Sequence, residues 1–176
     1  VLAKLPALQG VVVVGEGGDF AAKRADQSAE FTLADTAADE AAFWLYSSGS
    51  TGMPKGTKHL HTSPMETCRL YAKPVLGIGE DDVFLSAAKL FFAYGLGNGM
   101  TFPLSVGATA ILWPERPTPD AMFSLMQQHK PTLYFGVPTL YGTMLAGGET
   151  DAGGNLRYCV SAGEALPEDI GLSLIH

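Results

Sequence analysis

The chain has 176 residues, 47% of them hydrophobic and 16% charged, and 18 acidic against 11 basic side chains leave a net charge of −7 at pH 7. That length supplies the core of one ordinary domain. The negative balance, with Lys and Arg scattered rather than striped, argues against non-specific binding to nucleic acid or to an anionic membrane.

Val11 to Val14 is a continuous β-branched run between Gly10 and Gly15, which predicts a strand covered on both faces. Residues 16–40 turn polar, with a helical turn expected over Ala21 to Ala25. Phe43 to Tyr46 reads as a buried strand and Gly56 to His61 alternates as a second one. Between them lies YSSGSTGMPKG, Tyr46 to Gly56. Its glycines let backbone N–H groups approach an anion, its hydroxyls add donors, and Lys55 adds a mobile positive charge. A Walker loop needs Gly-x4-Gly-Lys-Ser/Thr before a helix, and this loop has Lys55 between Pro54 and Gly56. His59 and His61 share one strand face but lack a third ligand nearby, so no metal site is expected.

Ser63 is the expected cap of a helix with Pro64 at its first position and Glu66 completing a capping box, ending near Lys73 before Pro74. A strand follows over Asp81 to Ser86. Leu90 to Trp113 carries no charge, yet Asn98, Pro103 and glycines at 95, 97, 99 and 107 break it into a loop, a short helix and a strand from Ala108, a buried core segment rather than a membrane span. Next come a helix from about Pro119 to His129, with Asp120 and His129 complementing its dipole, a strand from Pro131 to Gly136, a helix from Pro138 to about Leu145, and a strand from Arg157 to Ser161. Strands alternating with helices predict an α/β fold of parallel or mixed sheets layered with helices. Cys68 and Cys159 have no neighbouring ligands, which suits reduced, buried thiols of a cytoplasmic protein.

The order of residues in the Tyr46–Gly56 loop resembles the phosphate-loop signature of the acyl-adenylate-forming (AMP-binding) superfamily. Two further segments fall in family order. KLFFAYGLGN, Lys89 to Asn98, resembles the acyl-pocket segment of these enzymes, and FFAYG is similar to benzoate and hydroxybenzoate CoA ligases; many relatives carry histidine where Phe92 stands. SAGEALP, Ser161 to Pro167, resembles the segment that packs on adenine and acyl group, and Phe135 to Thr139 a segment bordering the acyl pocket.

The resemblance implies a partial large N-terminal domain, residues 1–171, of an enzyme whose mobile C-terminal domain is absent. Residues 172–176 (LSLIH) are expected to be a non-native tail. It implies phosphate contacts from Ser47, Ser48, Gly49, Ser50, Thr51, Gly52 and Lys55, adenine contacts from Gly163, Glu164 and Ala165, and an acyl pocket of Phe92, Ala93, Tyr94, Gly136 and Ala162. The family's catalytic lysine lies outside the sequence. ATP, Mg2+ and coenzyme A are the implied cofactors, a small aromatic carboxylate the implied partner, with no nucleic acid or membrane. By the same resemblance the fragment alone is expected to be inactive. The alternatives are another adenylate former, fatty-acyl or amino-acid, and a non-catalytic fragment that keeps only an anion-binding loop.

Overall fold

The computed structural model describes residues 8, 10–47, 52–148 and 151–175. The chain divides into two units after Thr36. In the first, helix α1 (Phe20–Ala25) forms where a helical turn was expected. The valine run does not form the predicted strand: Val11 to Val14 is extended, unpaired and 41% to 75% exposed. Its polar backbone is satisfied locally instead. Val13 N–H donates to Asp19 Oδ1 (2.8 Å), Phe20 N–H donates to Val13 O (3.1 Å) and Lys23 Nζ donates to Val11 O (2.9 Å). A strand needs a neighbouring strand to pair with, and among the described residues this unit has none.

The second unit begins with an antiparallel hairpin, β1 (Ala41–Ser47) and β2 (Lys55–Leu60), in which Ser47 pairs with Lys55 and Tyr46 with Gly56. β1 is not buried as expected, because a two-stranded ribbon covers one face only. Phe43 and Leu45 point inward while Trp44 and Tyr46 are exposed. His59 stacks flat on Phe43, its cross-strand partner, at 4.9 Å, whereas His61 lies beyond the strand and is exposed. The two do not share a strand face.

Helix α2 (Ser63–Thr67) runs straight into a π-helical turn, Cys68–Ala72. The expected capping box does not form. Thr62 occupies the cap but its hydroxyl donates away from the helix, to Ala38 O (3.3 Å), Ser63 Oγ accepts from Leu60 N–H behind it (3.0 Å), and Glu66 turns forward to Arg69 (2.6 Å). Pro64 does open the helix.

A four-stranded parallel sheet follows, in the order β4-β3-β5-β6: β3 (Val83–Ser86), β4 (Thr109–Ile111), β5 (Leu133–Gly136) and β6 (Tyr158–Ser161). Between β3 and β4 the chain forms α3 (Ala93–Leu96), a second π-helical turn (Gly97–Thr101) and α4 (Phe102–Leu104). Helices α5 (Pro119–His129), α6 (Pro138–Ala146) and α7 (Glu168–Ile175) complete the unit. Strand side chains alternate between faces, and the core divides accordingly. Phe84, Leu133 and Phe135 pack with Cys68, Ala72 and Phe102 on one side. Leu85 and Tyr134 pack with Met122, Met126, Tyr141 and Met144 on the other. The sheet is therefore the middle of three layers. α7 continues without a break through Leu172, and Leu174 packs against the second cluster. Cys68 is buried, but Cys159, on the edge strand β6, is exposed rather than buried as expected. Among the described residues no helix is long and apolar enough to cross a membrane.

Candidate functional site

β3, β5 and β6 run parallel and end together, with Ser86 opposite Phe135 and Gly136 opposite Ser161. Ligands of open α/β sheets bind outside such carboxyl ends. The turn after β3 is fixed by Lys89. Its ammonium donates to Trp113 O (2.6 Å) and to Glu115 O, which ties this turn to the segment leaving β4. α3 then packs directly on the turn: a Cβ on Gly95 would stand 2.0 Å from Lys89 O, so only glycine fits. Phe92, extended at φ −90° and ψ 146°, caps α3, and Ala93 and Tyr94 open it.

Tyr94 reaches back across the strand ends. Its hydroxyl donates to Val160 O (2.9 Å) and to Gly136 O (3.2 Å), and its ring meets Phe135 edge-on at 6.3 Å. Burial pushes the phenol above its ordinary pKa, so it remains a neutral donor. Gly136 closes β5 where a Cβ would lie 2.9 Å from the Tyr141 ring. Beyond β6, Ala162 is half-buried and Gly163 turns the chain at φ +98°, a conformation side chains rarely adopt. Glu164 and Ala165 follow in the turn, exposed. The sheet thus brings Tyr94, Gly136 and the segment from Ala162 to Ala165 to one end. What they form is a wall of ring, methyl and main chain with no free side-chain charge except Glu164.

Phe92 stands apart from this cluster, 57% exposed with its ring against Phe91 at 4.5 Å. Ala93 lines a mostly apolar cavity of about 170 Å³ with Phe43, Leu45, His59, Leu96 and Phe102, between the hairpin and α3. Of the expected phosphate contacts, Ser47 ends β1, Gly52 has φ +77°, and Lys55 opens β2, exposed. Ser48, Gly49, Ser50 and Thr51 lie outside the described residues. A larger cleft of about 910 Å³ opens on the opposite face of the sheet, among Met126, Tyr134, Tyr141, Cys159, Leu166 and Leu172. None of the expected site residues lines it. Among the described residues no three His, Cys, Asp or Glu side chains stand together as metal ligands.

Two residues at this end escaped the sequence. Lys89 carried a signal, as the first residue of a glycine-rich aromatic stretch and the last charge before a long uncharged run. Tyr141 carried none, because its contacts are to main-chain carbonyls.

The described chain thus joins a parallel α/β sheet, with Tyr94, Gly136 and Ala162 at its strand ends, to an antiparallel hairpin whose connecting sequence is rich in Ser, Thr and Gly. The AMP-binding enzyme family model matches residues 2–174, and the chain belongs to that family. It is 56% identical over 174 residues to benzoate–CoA ligase of Thauera aromatica, covering 97% of this chain and 33% of that protein. It is 47% identical to the 4-hydroxybenzoate–CoA/benzoate–CoA ligase of Rhodopseudomonas palustris, with coverage of 97% and 33%. Among solved structures it resembles a benzoate CoA ligase from Burkholderia xenovorans LB400 (54% identity, TM-score 0.78, 87% of this chain and 31% of that one). It also resembles an anthranilate CoA ligase in complex with anthranoyl-AMP (35% identity, TM-score 0.87, 96% and 34%). The chain spans about a third of the length of the curated relatives it matches.

Proposed function

We propose that the protein to which this chain contributes activates an aromatic carboxylate of the benzoate type with ATP, releasing pyrophosphate and forming an acyl-AMP whose acyl group is then transferred to the thiol of coenzyme A. The observation that carries this is the apolar strand-end wall of Tyr94, Gly136 and Ala162. It lies in a chain that is 56% identical to a benzoate–CoA ligase. The phenol of Tyr94 already donates to main-chain carbonyls, so it asks for no polar substituent on the ring.

In this scheme the carboxylate oxygen attacks the α-phosphorus and pyrophosphate departs in line. Positioning and charge neutralisation supply most of such catalysis. Ser47, Ser48, Gly49, Ser50, Thr51 and Gly52 offer donors to the phosphates, and Lys55 balances the leaving charge. Gly163, Glu164 and Ala165 face adenine; Phe92, Ala93, Tyr94, Gly136 and Ala162 enclose the acyl group. No residue here is assigned a catalytic proton transfer. Among the described residues no three His, Cys, Asp or Glu side chains gather to hold a magnesium ion without the nucleotide's phosphates.

The test is benzoate-dependent ATP–pyrophosphate exchange by the protein expressed from its full reading frame, beside the 176-residue chain. Exchange by the first and not by the second is expected. Lys55→Ala should slow it about tenfold to a thousandfold, since each tenfold corresponds to about 1.4 kcal/mol of barrier. Exchange with fatty or amino acids but not benzoate would overturn the aryl assignment and keep the phosphate loop.

A further inference from the structure

Val160 O is an unusual acceptor, because two phenols reach it from opposite faces of the sheet. Tyr94 comes from α3, on the side of the first core cluster, and donates at 2.9 Å. Tyr141 comes from α6, in the second cluster, and donates at 3.0 Å. Each phenol has one proton and each has a second, longer acceptor: Gly136 O at 3.2 Å for Tyr94 and Tyr134 O at 3.3 Å for Tyr141. The shorter contact is to Val160 in both cases, so both hydroxyls converge on a carbonyl that lies in the β5–β6 ladder. Tyr141 also fixes its neighbour strand by shape. Its ring occupies the space a side chain at position 136 would need.

The geometry assigns Tyr141 as a positioning residue for the aryl–adenylate site: with Tyr94 it grips the last inward carbonyl of β6 and so sets where Ala162 and the Gly163 turn stand. This rests on the function proposed above. Among the described residues β6 pairs with β5, and the segment it leads into is the one expected to carry acyl and adenine contacts. Two neutral donors at one carbonyl hold that strand end without placing a charge beside an apolar ring. Burial keeps both phenols protonated by raising their pKa.

The experiment compares Tyr141→Phe with Tyr134→Phe in the protein expressed from its full reading frame. Tyr134 is an equally buried phenol on β5, but its hydroxyl contacts only Met144 Sδ (3.5 Å), away from the strand ends. Y141F keeps the ring over Gly136 and loses the hydroxyl's contacts to Val160 O and Tyr134 O. Small displacements of a positioned group cost up to about a hundredfold, so a rise in the KM for benzoate and ATP of about tenfold is expected, with kcat within about twofold. Amide hydrogen exchange of residues 161–165 should quicken in Y141F and stay unchanged in Y134F. The double variant Y94F/Y141F should raise KM by more than the product of the single effects, because either phenol alone still holds the strand end. Equal KM and equal exchange in Y141F and Y134F would overturn the assignment, as would strictly multiplicative single effects. Absence of benzoate-dependent pyrophosphate exchange in the unmutated protein would instead remove the proposed function, and the amide exchange would still decide whether Tyr141 holds the turn.

Discussion

The two ends of the parallel sheet are held by different chemistry. At the amino ends Asp82, with its side chain 9% exposed, accepts from Thr132 Oγ1 (2.6 Å), from Gly79 N–H (2.8 Å) and through both oxygens from Arg157 Nη2 (2.9 Å). Thr132 in turn accepts from Val83 N–H (3.0 Å), and Arg157 also reaches Leu76 O and Gly77 O. Strands β3, β5 and β6 are thereby knotted by one saturated ionic network. At the carboxyl ends of β5 and β6 the fastening is neutral, by Tyr94 and Tyr141, while the Lys89 ammonium holds the turn after β3 through main-chain carbonyls. Among the described residues, the buried side-chain atoms without a hydrogen-bond partner are Ser161 Oγ at the end of β6, Trp113 Nε1 just past β4 and Asn98 Nδ2 after α3. None of them is at the amino ends. On the proposed function the carboxyl ends are where the ligand enters, and there the saturated network gives way to close-packed glycines.

The comparison breaks most sharply at Asp82. Replacing it with Asn removes the charge that Arg157 pairs with, and breaking a fully buried pair costs about 3–5 kcal/mol. Arg157 is 42% exposed and can turn to water, so a smaller loss of about 2 kcal/mol is expected. Thermal unfolding should show a fall of roughly 4–8 °C at about 2–4 °C per kcal/mol. The KM for benzoate should not change. A KM shift matching that of Y141F would erase the distinction between the two ends.

Glycine substitutions sharpen it next. At Gly136 an added Cβ meets the buried Tyr141 ring at 2.9 Å, while at Gly79, beside Asp82, it meets nothing within 4 Å. Gly136→Ala should cost about 1–3 kcal/mol by overpacking and raise the carboxylate KM as the ring is displaced. Gly79→Ala should be near neutral in both. Urea unfolding and steady-state kinetics on the pair measure the contrast.

Acid then probes the amino end alone. Burial raises the Asp82 pKa, but bonds from Thr132, Gly79 and Arg157 outweigh it and hold the carboxyl below 3.8. A folded pKa below the unfolded one means the contribution is fully present above about pH 4, and is lost as pH falls through the folded value. Asp82→Asn should flatten that limb of the stability profile; an unchanged acid limb would show that Asp82 does not set it.

Much of this division was legible in the sequence, and what was hidden has physical causes. Pro119, Pro138 and the apolar runs at 83–86, 133–136 and 158–161 mark elements whose signals are local. The Val11–Val14 run misled because strand propensity reports a side-chain type, whereas a strand requires a neighbouring backbone. Ser63 misled because it found a donor behind it, in Leu60, rather than ahead. The aryl-side segments were visible through FFAYG and SAGEALP. The clamp was not, since its acceptor is the main chain of Val160 and any residue has a carbonyl. Lys89 is similar: a lysine that holds two carbonyls looks in sequence like any other charge.

The smallest effect belongs to the ion pair that most resembles the Asp82 network on paper. Glu66 on α2 and Arg69 in the π-helical turn that follows it meet at 2.6 Å, and each shifts the other toward its charged form. Their side chains are 49% and 65% exposed, so water already solvates both charges and salt screens what remains. Glu66→Gln is expected to leave the melting temperature unchanged in 0.15 M salt, in contrast to Asp82→Asn. Geometry is nearly the same in the two pairs, and burial is the variable that differs. If both substitutions lowered the melting temperature equally, the firmness of the amino end would lie in its ion pair as such, and not in the desolvated network of Thr132, Gly79 and Arg157 that surrounds one carboxylate.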